Sequence, residues 1–182
     1  MRSLALALLA LAVLLEPGCG MLDAQLEART ACFTVAGAPI PPAGASGTVV
    51  ANLDYDLGAS LPALAQPGMT SRLTFQELEL SPGPGSSVAD LAGVEVLDAS
   101  VLPPAGSGLP EQPLVHYLRP AGPTPSVISA EAEQPLDLLP YLAGGRVTLR
   151  AQARGALPAH AWTADARACF LLEVDVQVGK SQ

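Results

Sequence analysis

From residue 31 onward, apolar and polar side chains alternate in short runs broken by proline and glycine. In 146–154, Val147, Leu149, Ala151 and Ala153 fall on one side, and Arg146, Thr148, Arg150, Gln152 and Arg154 on the other. In 168–178, Phe170, Leu172, Val174, Val176 and Val178 oppose Leu171, Glu173, Asp175 and Gln177. Such alternation, sustained over nine or more residues, predicts strands with one buried and one wet face. The segment 48–56 repeats it, with Val49, Ala51, Leu53 and Tyr55 against Val50, Asn52, Asp54 and Asp56. In 31–36, Phe33 and Val35 share a face. In 71–80, Leu73 and Phe75 share a face but Leu78 and Leu80 have the opposite parity, which predicts a bulge near Gln76-Glu77. Further strand signals lie at 93–98, 113–118 and 125–129.

Helix periodicity is confined to 134–145, where Pro140 limits the length and Gly144 supplies a stop. About eight strands with turn punctuation therefore predict an all-β chain, an antiparallel β-sandwich. Immunoglobulin-like and jelly-roll arrangements both fit. The long connections 57–70 and 99–112 do not suit tight hairpins and read as crossovers between sheets. Proline-rich stretches at 37–45, 102–110 and 120–125 read as loops, and no internal repeat is present.

The N-terminal residues follow another pattern. Arg2 precedes an uncharged stretch from Ser3 to Leu15, then Glu16-Pro17-Gly18-Cys19-Gly20. An apolar run of about 13 residues is short of the roughly 20 that cross a bilayer, but fits the core of a secretory signal peptide. Its end resembles the lipobox of bacterial lipoprotein precursors: Gly18 and Cys19 match the last two places, while Pro17 and Glu16 depart from the small and aliphatic residues before them. This resemblance covers residues 1–20. It implies cleavage before Cys19, lipid attachment to that cysteine, and residence in a bacterial cell envelope, on the outer membrane or facing the periplasm. The alternative is an ordinary cut after Ala24 or Ala28 that discards Cys19 and gives a secreted soluble protein. The domain reading is a signal peptide at 1–18, a tether at 19–30 and a β-sandwich at 31–179.

Three cysteines are present, Cys19, Cys32 and Cys169. In an oxidising compartment Cys32 and Cys169 form the expected disulfide under either cleavage. Composition constrains the rest. Aromatic residues are 4% of the chain, so the core must be built mainly from Leu, Val and Ala. The 17 glycines and 18 prolines stay below the roughly 25–30% share that marks disorder. With a net charge of −8 and Lys180 as the sole lysine, the chain is a poor fit to nucleic acid or to an anionic membrane surface. Membrane attachment then rests on the lipid at Cys19.

Candidate chemistry is sparse. Arg146, Arg150 and Arg154 share the wet face of one strand, either as an anion or partner contact or paired with Glu173 and Asp175 on the following strand. Asn52, Asp54 and Asp56 approach a calcium-loop opening, but Leu57 stands where the motif needs glycine. His116 and His160 lie in no zinc spacing. Gly44-Ala45-Ser46-Gly47-Thr48 and Gly106-Ser107-Gly108 lack the frame of a nucleophile elbow. Glu77, Glu79, Glu131 and Glu133 form spaced carboxylate pairs that need geometry to interpret. Trp162 reads as a core residue closing one end of the sandwich. No metal, cofactor or catalytic site is expected. The functional expectation is a lipid-anchored envelope protein acting as a non-enzymatic binding or scaffold module, with an envelope protein or glycan as partner. The alternative is an envelope hydrolase acting on glycan or lipid.

Overall fold

The computed structural model describes residues 27–58 and 69–176. The signal segment, Cys19, the tether up to residue 26, most of 57–70 and Val178 lie outside the described residues. Within them run eight strands: β1 (Glu27–Ile40), β2 (Thr48–Asp56), β3 (Met69–Pro82), β4 (Val94–Val101), β5 (Gln112–Leu118), β6 (Ile128–Glu131), β7 (Arg146–Gly155) and β8 (Trp162–Val176). The helical signal at 134–145 becomes one 3-10 turn, Leu139–Tyr141, with Pro140 inside it.

One sheet has the order β1-β8-β3-β6 and the other β2-β7-β4-β5, all neighbours antiparallel. Each strand of the first half thus pairs with its counterpart from the second half: β1 with β8, β2 with β7, β3 with β6, β4 with β5. The chain is one long hairpin rolled into two sheets, which is the jelly-roll topology. This decides between the two sandwich types open to the sequence. It also corrects the reading of 99–112. Strand β4 runs on to Val101 and β5 pairs beside it, so that connection is a hairpin within one sheet and not a crossover. The connection from β2 to β3 does link different sheets.

The alternation pattern maps onto the inward faces. Val49, Leu53 and Tyr55 of β2 and Val147, Leu149, Ala151 and Ala153 of β7 are buried. On β3 the register slips between Phe75 and Glu77, and Leu73, Phe75, Leu78 and Leu80 all become buried, as the parity change requires. Strand β8 begins at Trp162, six residues before the sequence reading, and buries Trp162, Ala164, Ala166, Ala168 and Phe170. Strand β1 starts at Glu27, inside the stretch read as tether. Its first residues are held by pairing, Glu27 opposite Val174 and Arg29 opposite Leu172, and cross-strand pairing leaves no hydrophobic period to read. Strand β1 also bulges between Val35 and Ala38, where Gly37 adopts φ of 61°.

Phe170 is the hub of the core. Its ring centroid lies 6.0 Å from Phe33, 6.0 Å from Tyr55 and 5.9 Å from Phe75, tilted or edge-on in each case, as aromatic quadrupoles prefer. Tyr55 comes from the opposite sheet, and its hydroxyl donates to the Ala166 carbonyl (3.3 Å). Small alanines on β8 leave room for that reach.

The register also fixes the two ends. Ile40 lies opposite Trp162 and Leu80 opposite Ile128, while Thr48 lies opposite Arg154 and Val96 opposite Leu118. The connections β1–β2, β3–β4, β5–β6 and β7–β8 therefore all sit at one end. They are tied together there by backbone bonds from Ala43 N to Pro158 O (2.9 Å) and from Gly155 N to Gly47 O (3.0 Å). At the opposite end lie Glu27, Asp56, Met69 and Val176, where segments 1–26, 59–68 and 177–182 attach.

Candidate functional site

Cross-strand register arranges the outer face of the β2-β7-β4-β5 sheet in rows. One row is Thr48, Arg154, Val96 and Leu118; the next is Val50, Gln152, Asp98 and His116; a third is Asn52, Arg150, Ser100 and Pro113. The arginines of β7 therefore run down the middle of the sheet. Arg146 pairs with Asp56 (3.4 Å), Arg150 with Glu111 (2.6 Å) and Arg154 with Asp98 (2.9 Å). The pairing with Glu173 and Asp175 expected from sequence does not form, because β7 and β8 lie in opposite sheets. Glu173 instead stands opposite Arg72 and Ala28.

The network extends beyond the arginines. Asp98 also meets His116 Nδ1 at 2.6 Å, and the Ser100 hydroxyl donates to Glu111. Asp54 accepts from the Thr148 hydroxyl (2.6 Å). Asn52, Asp54 and Asp56, read as the opening of a calcium loop, are the exposed outward residues of β2, and the two aspartates are engaged by Thr148 and Arg146. Asp98, Ser100, Glu111, His116, Glu133, Arg150 and Gln152 line an open groove of about 420 Å3. It offers oriented donors and acceptors and is net acidic, with Asp98, Glu111 and Glu133 against Arg150.

On the outer face of the other sheet, Cys32 and Cys169 stand directly opposite each other and form a disulfide. Glu77 lies next to Cys169 on one side and Glu131 on the other. Two like charges directly opposite destabilise a strand pair slightly. Glu77 is partly compensated by the Ser129 hydroxyl, and Glu79 pairs with Arg167. Glu131 and Glu133 border a second open groove, of about 530 Å3. Among the described residues no group of three or more His, Cys, Asp or Glu side chains is placed to hold a metal ion.

The third location was not legible in the sequence. At the end bearing the four connections, Val88, Leu91, Val94, Leu157, Pro158 and Trp162 line a crevice of about 240 Å3 between the β3–β4 and β7–β8 connections. Trp162 is 5% exposed, and its Nε1 is buried with no hydrogen-bond partner. His160 Nε2 lies 3.0 Å from Ser87 Oγ and links the same two connections. That is nucleophile–base spacing, but among the described residues no carboxylate meets the other imidazole nitrogen to complete a triad. Ser46 and Ser107 sit in turns, and the Ser107 hydroxyl oxygen accepts from Leu109 N (3.3 Å). The sequence signal that could have pointed here is the alternation Trp162, Ala164, Ala166, Ala168, which makes Trp162 the first inward residue of a strand.

No protein-family model and no curated protein matches the chain. Solved structures with some likeness include a decameric BFDV capsid protein (12% identity, TM-score 0.39, covering 81% of this chain and 99% of that one). Desmodium yellow mottle tymovirus is another (10% identity, TM-score 0.35, covering 87% and 92%). A third is a Clostridium thermocellum endo-1,4-beta-D-xylanase complexed with xylohexaose (13% identity, TM-score 0.31, covering 84% and 25%). Likeness at this level carries no functional argument.

Proposed function

We propose that the chain is an exported cell-envelope protein, anchored by lipid on Cys19, whose jelly-roll domain acts as a non-enzymatic binding or scaffold module. The observation that carries this reading is the disulfide between directly opposed Cys32 and Cys169, a bond suited to an oxidising compartment outside the cytoplasm. It leaves Cys19 outside the bridge, at the lipobox-like end of a signal segment. Seven residues, 20–26, separate Cys19 from β1 and span at most about 25 Å. They join the end opposite the four clustered connections, so an anchored domain holds those connections away from the bilayer. In its favour as a binding module, Asp54, Asp56, Asp98, Glu111, Thr148 and the three β7 arginines on one outer face, and Glu77, Glu79, Ser129 and Arg167 on the other, engage one another, an arrangement suited to presenting a fixed surface.

The test is metabolic labelling of cells with a fatty-acid analogue, comparing the natural chain with Cys19→Ala. The expected result is label in the first and none in the second. Equal label, or none in either, overturns the anchor and leaves a secreted protein. A second reading, an envelope hydrolase, is favoured by the Ser87–His160 contact beside an apolar crevice. Turnover of short-chain esters that vanishes in both Ser87→Ala and His160→Ala would establish it in place of the binding role.

A further inference from the structure

We propose that the Cys32–Cys169 disulfide is a thiol-exchange site open on one side only: a small thiol bearing a positive charge attacks Cys32, and the released Cys169 then recloses the bond. This goes beyond the binding role proposed above and does not depend on the lipid anchor. The two halves of the bond are not equivalent. Cys32 is exposed on β1, an edge strand whose one strand partner among the described residues is β8. Cys169 lies on β8, between β1 and β3, and is 5% exposed. Exchange requires the incoming thiolate to reach the sulfur it attacks, so access selects Cys32.

The step balances with the external thiol alone. Its sulfur bonds to Cys32 Sγ as the bond to Cys169 breaks. The electron pair leaves on Cys169 Sγ, which takes up the proton that the thiol lost. The mixed disulfide then sits on Cys32, and Cys169 is left buried with Glu77 directly opposite it on β3. Burial and a neighbouring carboxylate both disfavour a thiolate there, so the opened form is the less stable one. The main-chain pairs on either side, from Glu27 opposite Val174 to Val35 opposite Ala166, do not need the bond to form. They hold together two cysteines whose Cα atoms are 4.0 Å apart. Cys169 therefore stays beside the mixed disulfide, and its return attack, which expels the small thiol, is intramolecular.

The charge around the bond sets the class of thiol. The row that carries the disulfide continues to Glu77 and then Glu131. In the next row Arg167 and Glu79 pair with each other. The row on the other side is Thr30, Leu171 and Thr74, without charge. Three carboxylates thus stand against one guanidinium, and an anionic thiol is repelled where a cationic one is drawn in.

The experiment treats the full chain in detergent, at low ionic strength, with cysteamine and with 2-mercaptoethanesulfonate at equal thiolate concentration. Samples are quenched and alkylated in acidic denaturant and digested. Weighing each cysteine peptide separates Cys32 and Cys169 from Cys19. The expected early adduct is on Cys32, in about tenfold or greater excess over Cys169, with Cys169 recovered alkylated. The cysteamine adduct should form about threefold or more faster, and both Glu77→Gln and added salt should narrow that gap. Removing the free thiol by gel filtration, with no oxidant present, should restore the closed bond and release the bound thiol. An adduct equally or mainly on Cys169, no adduct on either cysteine, or one that persists after the thiol is removed overturns the site. Equal rates for the two thiols overturn the preference for a cationic one.

Discussion

Tyr55 shows how one buried side chain couples the sheets and sets a pH limit. Burial pushes its phenol well above the ordinary tyrosine range, because a phenolate would lose its hydration between the sheets. The unfolded chain ionises near the usual value of about 10. Since the native pKa is the raised one, stability is fully present below about pH 10 and is lost as pH climbs above it. Tyr55→Phe should lose about 1 kcal/mol at neutral pH, from the bond to the Ala166 carbonyl. It should also flatten the alkaline loss, which urea titrations at neutral pH and about pH 11 would show. The arginines on the outer face behave differently. Arg150 and Arg154 are half exposed, and replacing either by alanine should change stability by at most about 1 kcal/mol in the same titration. The stripe itself was legible from the spacing of 146–154. Its partners were not, because Asp56, Asp98 and Glu111 are distant in sequence and only the strand order brings them alongside.

Strands that bury one face were readable where the pattern was strong. The parity change after Phe75 required an extra residue in β3, and the register slip falls there. Inserting an alanine between Glu77 and Leu78 should turn Leu78 and Leu80 outward and prevent folding, seen as loss of the cooperative thermal transition. Phe170→Ala, which removes the ring shared by Phe33, Tyr55 and Phe75, should cost about 3–5 kcal/mol in denaturant titrations. Strand ends were less readable. Strand β1 starts earlier than its pattern, and β6 runs Ile128–Glu131 rather than 125–129, because hydrogen-bonded pairing and not side-chain burial decides where an exposed strand begins.

At the scale of the whole molecule, the disulfide joins strands 137 residues apart in sequence, the outermost pair of the rolled hairpin. In the chain-entropy model a loop of that length is worth about 5 kcal/mol, and measured bridges commonly give about 2–5. The double change Cys32→Ser with Cys169→Ser should lower stability by that amount, and reducing the natural chain should give the same value. The two cysteines could be named from the sequence by parity and compartment, and the sandwich by its alternating runs, since both follow from local chemistry along the chain. Only the tertiary structure decided that the sandwich is a jelly roll, that 102–111 closes a hairpin, that the arginines meet β2, β4 and Glu111 just before β5, and that Trp162 joins a crevice at the end opposite Glu27. The physical reason is that strand order and end placement are set by contacts between distant segments, on which a local hydrophobic period is silent.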